Sequence, residues 1–150
     1  NNLNKYDIHL EEMEKLIKQF ENDSIYAYEY HIVSANYYKL LGRKILINQY
    51  INKEPLDVTN VYEKVITHLE QLMIIFRNRW YRNYKMFGLE VVQSRLATQI
   101  YRAKEMIELT RLFNKNEIDE IEGLLNQTEI YDQPLSLKFH HLAFTTLPFN

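Results

Sequence analysis

The sequence predicts an all-α protein: an antiparallel bundle of about four long helices, with a short fifth helix and an extended C-terminal arm. Two observations carry that prediction. Three glycines and three prolines in 150 residues fall well below the usual averages of roughly 7% and 5%, whereas a sandwich or barrel needs a turn about every 8–12 residues. Between those few breaks the apolar residues recur at spacings of three and four, the period of a helix with one face buried. A chain that is 46% apolar and 25% charged has the composition of an ordinary folded domain, and its length suits one domain.

The first stripe is Ile8/Leu10, Met13, Leu16/Ile17 and Phe20, with Glu11, Glu12, Glu14 and Lys18 between, over about residues 5–21. Asn22-Asp23-Ser24 interrupts it, and Asp23 or Ser24 can cap the next helix by accepting from its free N–H groups. That second helix runs to Ile51, apolar on much of its circumference (Ile25, Tyr28, Ile32, Ala35, Tyr38, Leu41, Ile45, Tyr50), as a helix with neighbours on two sides requires; Gly42 sits inside it with no evident local reason. Asn52-Lys-Glu-Pro55 stops it, because proline lacks an N–H and disfavours a helical residue before it.

The third stripe is the cleanest: Val58, Val61/Tyr62, Val65/Ile66, Leu69, Leu72/Met73, Phe76 and Trp80. Gly88 breaks it, and Leu89, Val92, Leu96, Gln99, Ala103, Met106/Ile107, Thr110 and Phe113 form a fourth. A short acidic helix is expected over Glu117–Leu124, closing near Gly123. Beyond it two prolines and the alternation of Leu135, Leu137 and Phe139 indicate an extended arm. The expected division is a helical bundle over 1–125 and an arm over 126–150, lying on the bundle or on a domain outside this chain.

A formal charge of −2 and a pI near 6.2 provide no general attraction to nucleic acid or to an anionic membrane. The chain has no cysteine, which excludes thiolate zinc sites, disulfides and cysteine nucleophiles. No apolar run approaches the length of about 18 residues that spans a membrane. A start at Asn1 rather than Met, without a leader pattern, suggests a piece of a longer protein. The compartment stays open.

Candidate chemistry is sparse. His9/Glu11, Glu29/His31 and His68/Glu70 each have a spacing of two, which on a helix sets the side chains about 200° apart, too far to share an ion. His140-His141 falls in the arm, where adjacent side chains point to opposite faces. Asp119-Glu120 has no apolar surroundings in sequence to raise a carboxyl pKa. No metal and no cofactor is expected. The densest local feature is Arg77-Asn-Arg79-Trp80-Tyr81-Arg82-Asn-Tyr84-Lys85, four cations with interleaved aromatics and no acid. Such a stretch can bind RNA or a sugar acid. On a helical wheel Trp80 and Tyr84 instead continue the Leu69-Met73-Phe76 stripe, which favours a buried Trp with a solvated basic back.

Trp80-Tyr-Arg-Asn-Tyr84-Lys85-Met-Phe87-Gly88-Leu-Glu90-Val, followed by Arg95-Leu-Ala-Thr-Gln-Ile-Tyr-Arg102, resembles the C-terminal helical domain of family 20 glycoside hydrolases, the bacterial β-N-acetylhexosaminidases. There a Trp ends one helix, an Asn-Lys-Pro-Phe-Gly-like turn follows, and the next helix carries a Glu and two Arg. Lys85, Phe87, Gly88, Glu90, Arg95 and Arg102 fit in register; Tyr84 replaces the usual Asn, Met86 the usual Pro, and Ala97-Thr98 a common Gly pair. Gly88 can adopt the left-handed conformation, and Glu90 in the first turn of the next helix suits its positive end and can reach Arg77, Lys85 or Arg95.

The resemblance implies an enzyme whose catalytic Asp–Glu pair sits on a TIM barrel and whose substrate's own acetamido group attacks the anomeric carbon. A barrel needs about 200 residues or more, so this chain would be a non-catalytic module. Its partner would be the catalytic barrel of the parent chain, or a second copy in a homodimer. The alternative is a stand-alone helical interaction module, for which twelve tyrosines would supply an interface.

Overall fold

The structure is a computed structural model that describes residues 3–83, 88–121 and 124. Its elements are α1 (Leu3–Phe20), a 3₁₀ turn (Ser24–Tyr26), α2 (Ala27–Ile51), α3 (Thr59–Asn83) and α4 (Leu89–Asn114). Each of the four stripes has become one helix. The Asp23 side chain accepts from the Ile25 N–H at 3.0 Å and so caps the 3₁₀ turn rather than α2 as expected, since Tyr26, the N-cap of α2, makes no side-chain cap hydrogen bond. No strand occurs among the described residues.

The core is shared by α2, α3 and α4, with α3 in the middle and α1 laid on α2. Each helix packs on the next in sequence. α3 runs antiparallel to α2, so Tyr28 meets Phe76 (ring centroids 6.2 Å apart) while Gly42 lies against Tyr62. α4 then runs alongside α2 in the same direction: Lys39 Nζ donates to Gln99 Oε1 at 2.7 Å, and Tyr50 meets Phe113 at 5.8 Å. Ala35, Leu46, Tyr62, Val65, Leu69, Leu72, Ile100 and Ala103 fill the space between. α1 buries only Leu10, and its join to α2 is largely polar. Tyr37 Oη donates to Glu14 Oε1 at 2.8 Å, Arg43 Nε to Tyr6 Oη at 3.2 Å, and Lys44 pairs with Asp7.

Two helices end in the same device. Lys53 follows α2 in the left-handed conformation (φ 55°); its N–H donates to Tyr50 O at 3.2 Å and that of Glu54 to Gln49 O at 2.9 Å. Asn116 (φ 58°) does this after α4, donating to Phe113 O at 3.0 Å while Glu117 donates to Leu112 O at 3.0 Å. These paired bonds are Schellman motifs, which satisfy carbonyls the helix leaves free and turn the chain away.

The segment between α2 and α3 is held by two carboxamides. Gln49 accepts from the Asp57 N–H at 3.0 Å and donates to Asp57 O at 3.2 Å. Asn114 accepts from the Leu56 N–H at 2.8 Å and donates to Leu56 O at 2.7 Å. Adjacent residues of an extended segment present their backbone polar groups on opposite sides, so one clamp comes from α2 and the other from the end of α4. The Leu56 and Val58 side chains point into the core, 2% and 1% exposed.

The short fifth helix expected over Glu117–Leu124 is not formed in its described part, since Glu117–Ile121 carries no helix. The Schellman turn at Asn116 redirects the chain, and Ile121 and Leu124 plug into the core in place of a helix of about two turns, too short to hold by itself. The arm over 126–150, with His140, His141, Pro134 and Pro148, lies outside the described residues, as does Gly123.

Candidate functional site

The α3–α4 corner is built from Phe76, Trp80, Gly88 and Glu90. Trp80 continues the buried stripe of α3 and stacks on Phe76, centroids 6.1 Å apart and planes 26° from parallel. Gly88 is the N-cap of α4 and is left-handed, φ 98° and ψ −12°. A methyl group at Gly88 would sit 3.5 Å from Trp80 Cη2 and Cζ2, so the indole edge lies directly over the glycine. The Gly88 N–H donates to both Glu90 carboxylate oxygens, at 3.3 and 3.2 Å. Glu90 thereby satisfies a donor the helix start leaves open and places its charge at the positive end of α4. Trp80, Gly88 and Glu90 are thus brought together.

The cations divide differently. Glu90 forms no ion pair with Arg77 or Arg95 among the described residues. Arg77 and Arg82 are exposed, and the Arg79 guanidinium stands 5.0 Å from the centroid of the Tyr28 ring, a cation–π contact that ties the end of α3 to the start of α2. Arg95 and Arg102 are exposed on α4, seven residues apart and so on one face, about 10 and 21 Å along the helix from the Gly88 corner. Lys39, half-buried beside Arg102, has its ammonium pKa lowered, first by burial and then by that neighbouring charge. Tyr84, Lys85 and Phe87 lie outside the described residues.

The helices also assemble a cluster that within-helix spacing did not reveal. His31 on α2 and His68 on α3 bring their Nδ1 atoms to 2.9 Å. The Tyr38 ring stacks on His68 (5.7 Å, 11°), and Tyr30 stands edge-on to His31 at 5.0 Å and to His68 at 5.6 Å. Each histidine had a carboxylate two residues away in sequence, and neither uses it; the partner comes from the facing helix. Among the described residues no group of three or more His, Asp or Glu is placed to hold a metal ion, and no helix is long and apolar enough to cross a membrane.

The structure therefore defines a helical bundle domain whose most distinctive local feature is a Trp-covered glycine corner. Residues 2–143 match the family model described as the Glycoside Hydrolase 20C C-terminal domain. The chain belongs to that family: it is a C-terminal domain of family 20 glycoside hydrolases, as the Trp80–Arg102 string suggested. Comparison with curated proteins and with solved structures returned no significant match.

Proposed function

We propose that this domain is the non-catalytic accessory module of a β-N-acetylhexosaminidase, and that it works by packing on the catalytic barrel of its parent chain. The observation that carries this reading is the family match over nearly the whole length. A barrel of about 200 residues or more cannot be housed in 150, so hydrolysis belongs to another part of the parent. In this reading residues 1–125 form the module and 126–150 an arm that lies on it or on the barrel.

Large side chains left in water support a packing role. Ile25, Tyr101 and Ile8 are 73%, 67% and 61% exposed, apolar area that burial against another domain would remove from water. The same surfaces support a homodimer as the second way of covering them. Sedimentation of the isolated chain, alone and mixed with the separately produced barrel, decides between the two. A complex with the barrel is the expected result. A dimer that ignores the barrel would favour the second reading, and an inert monomer would overturn both. The isolated chain is expected to give no turnover on a chromogenic N-acetylglucosaminide; turnover would overturn the accessory assignment.

A further inference from the structure

We propose that His31 and His68 form an acid-sensitive latch between α2 and α3, closed while the pair carries at most one positive charge and opened by a second. Their Nδ1 atoms are 2.9 Å apart and their ring centroids 5.2 Å apart. The second distance is the first with one ring radius added at either end, so the two nitrogens lie on the line joining the rings and face each other head-on. Two ring nitrogens in that arrangement attract only when one carries a proton and the other presents its lone pair.

Two neutral imidazoles satisfy the contact if one is the Nδ1–H tautomer and the other the Nε2–H tautomer. One added proton goes to the free Nε2 of the donor ring and leaves the contact intact. A second must go to the accepting Nδ1, which destroys the hydrogen bond and sets two cations against each other.

The surroundings oppose charge from both helices. From α2, Tyr30 and Tyr38 face the pair as neutral rings; from α3, the Lys64 ammonium stands 5.2 Å from the centroid of the Tyr38 ring that stacks on His68. Neither imidazole has a carboxylate ion-pair partner among the described residues. Burial lowers the pKa of His31. His68 falls to about 4, by burial first and then by the charges of His31 and Lys64. The folded form consequently binds fewer protons than the unfolded chain between pH 4 and about 6.5, so the latch contributes fully above that window and is lost as pH falls through it. Because α2 and α3 share the central core, opening loosens the whole bundle.

Two measurements on the full chain test this. Urea unfolding of the wild type and of His68→Gln is followed at pH 7 and pH 4.5. The wild-type unfolding constant is expected to rise about tenfold more than that of the variant, a screened fraction of the full linkage for a half-exposed pair. Equal pH responses would overturn the latch. Histidine NMR titration of the wild type requires no variant to fold. Expected are two coupled titrations, both below the ordinary histidine value and the later one near 4, with a downfield Nδ1 proton at pH 7 that disappears as the second titration completes. Independent titration of His31 and His68 at the ordinary value would overturn it as well.

Discussion

Asn114 and Leu56, 58 residues apart in the chain, are joined by two hydrogen bonds that make the end of α4 the lock on the α2–α3 connection. The Asn114 carboxamide accepts from the Leu56 N–H at 2.8 Å and donates to the Leu56 carbonyl at 2.7 Å. Leu56 is 2% exposed, so its backbone has little water to turn to once the amide is gone, and an unsatisfied buried polar group costs about 1–3 kcal/mol. Asn114→Ala is therefore expected to destabilise the domain by about 2–3 kcal/mol in urea unfolding. Gln49→Ala removes the matching clamp from Asp57, which is exposed, and is expected to cost under about 1 kcal/mol. Equal losses at the two positions would mean that the clamps act through something other than backbone burial.

Gly42 and Tyr62 set the separation of α2 and α3. A Cβ at Gly42 would lie 2.8 Å from Tyr62 Cε2 and 3.3 Å from Cδ2 and Cζ, and that ring is buried between the helices. Alanine in a helix interior gains about 1 kcal/mol over glycine, while overpacking costs about 1–3 kcal/mol. Gly42→Ala is expected to destabilise by about 1 kcal/mol. In a Tyr62→Leu background the clash is gone and the helix preference remains, so there Gly42→Ala should stabilise. A double-mutant cycle in urea checks that reversal of sign; additive effects would sink the explanation.

This pair also shows where legibility ends. The four helices are readable because period and breaks are local: each stripe is an arrangement of neighbours, although Asp23 caps the 3₁₀ turn at the first break and not α2 itself. Gly42 looked unmotivated because its reason stands on another helix, at a register that only packing determines. In sequence His31 and His68 show only the carboxylates of their own helices, and a separation of 37 positions conceals the contact. Asn114 and Gln49 are polar residues near helix ends, indistinguishable in sequence from solvated ones. The acidic segment after Asn116 failed in the opposite sense: Ile118, Ile121 and Leu124 have helical spacing, yet a left-handed Asn turns the chain so that the last two become plugs. At the corner, Trp80 and Gly88 are legible as a motif; of the cationic partners expected for the acid at the helix start, Lys85 lies outside the described residues, and neither Arg77 nor Arg95 pairs with Glu90. Its carboxylate goes instead to the Gly88 N–H, a backbone donor that no side-chain pattern marks.

Lys53 offers a stabilising substitution. It sits at the left-handed residue of the Schellman turn after α2, φ 55°, with its side chain exposed. An L side chain there costs about 1–2 kcal/mol relative to a right-handed position, a cost that glycine avoids. Part of the gain is offset because glycine also frees the unfolded chain. Lys53→Gly is expected to raise stability by about 0.5–1 kcal/mol. Asn116, in the same role after α4, already tolerates that conformation better, so Asn116→Gly should gain less. A thermal melt in which Lys53→Gly is neutral or destabilising would mean that the lysine makes an offsetting contribution at this turn.

Gly88 separates backbone strain from lack of space. The indole of Trp80 would be 3.5 Å from an added Cβ, an ordinary contact distance, so there is room for a methyl group. The obstacle is the dihedral: φ 98° lies in a region where an L residue costs about 1–3 kcal/mol. Gly88→Ala is expected to lose about 1–2 kcal/mol with the Trp80 fluorescence maximum unchanged, because the indole need not move. Gly88→Asn, which enters left-handed conformations more easily, should lose less despite its larger side chain. That order, the bigger residue being the milder change, is the signature of conformational strain. The reverse order, accompanied by a red shift of Trp80 emission, would show that the corner is limited by packing under the indole instead.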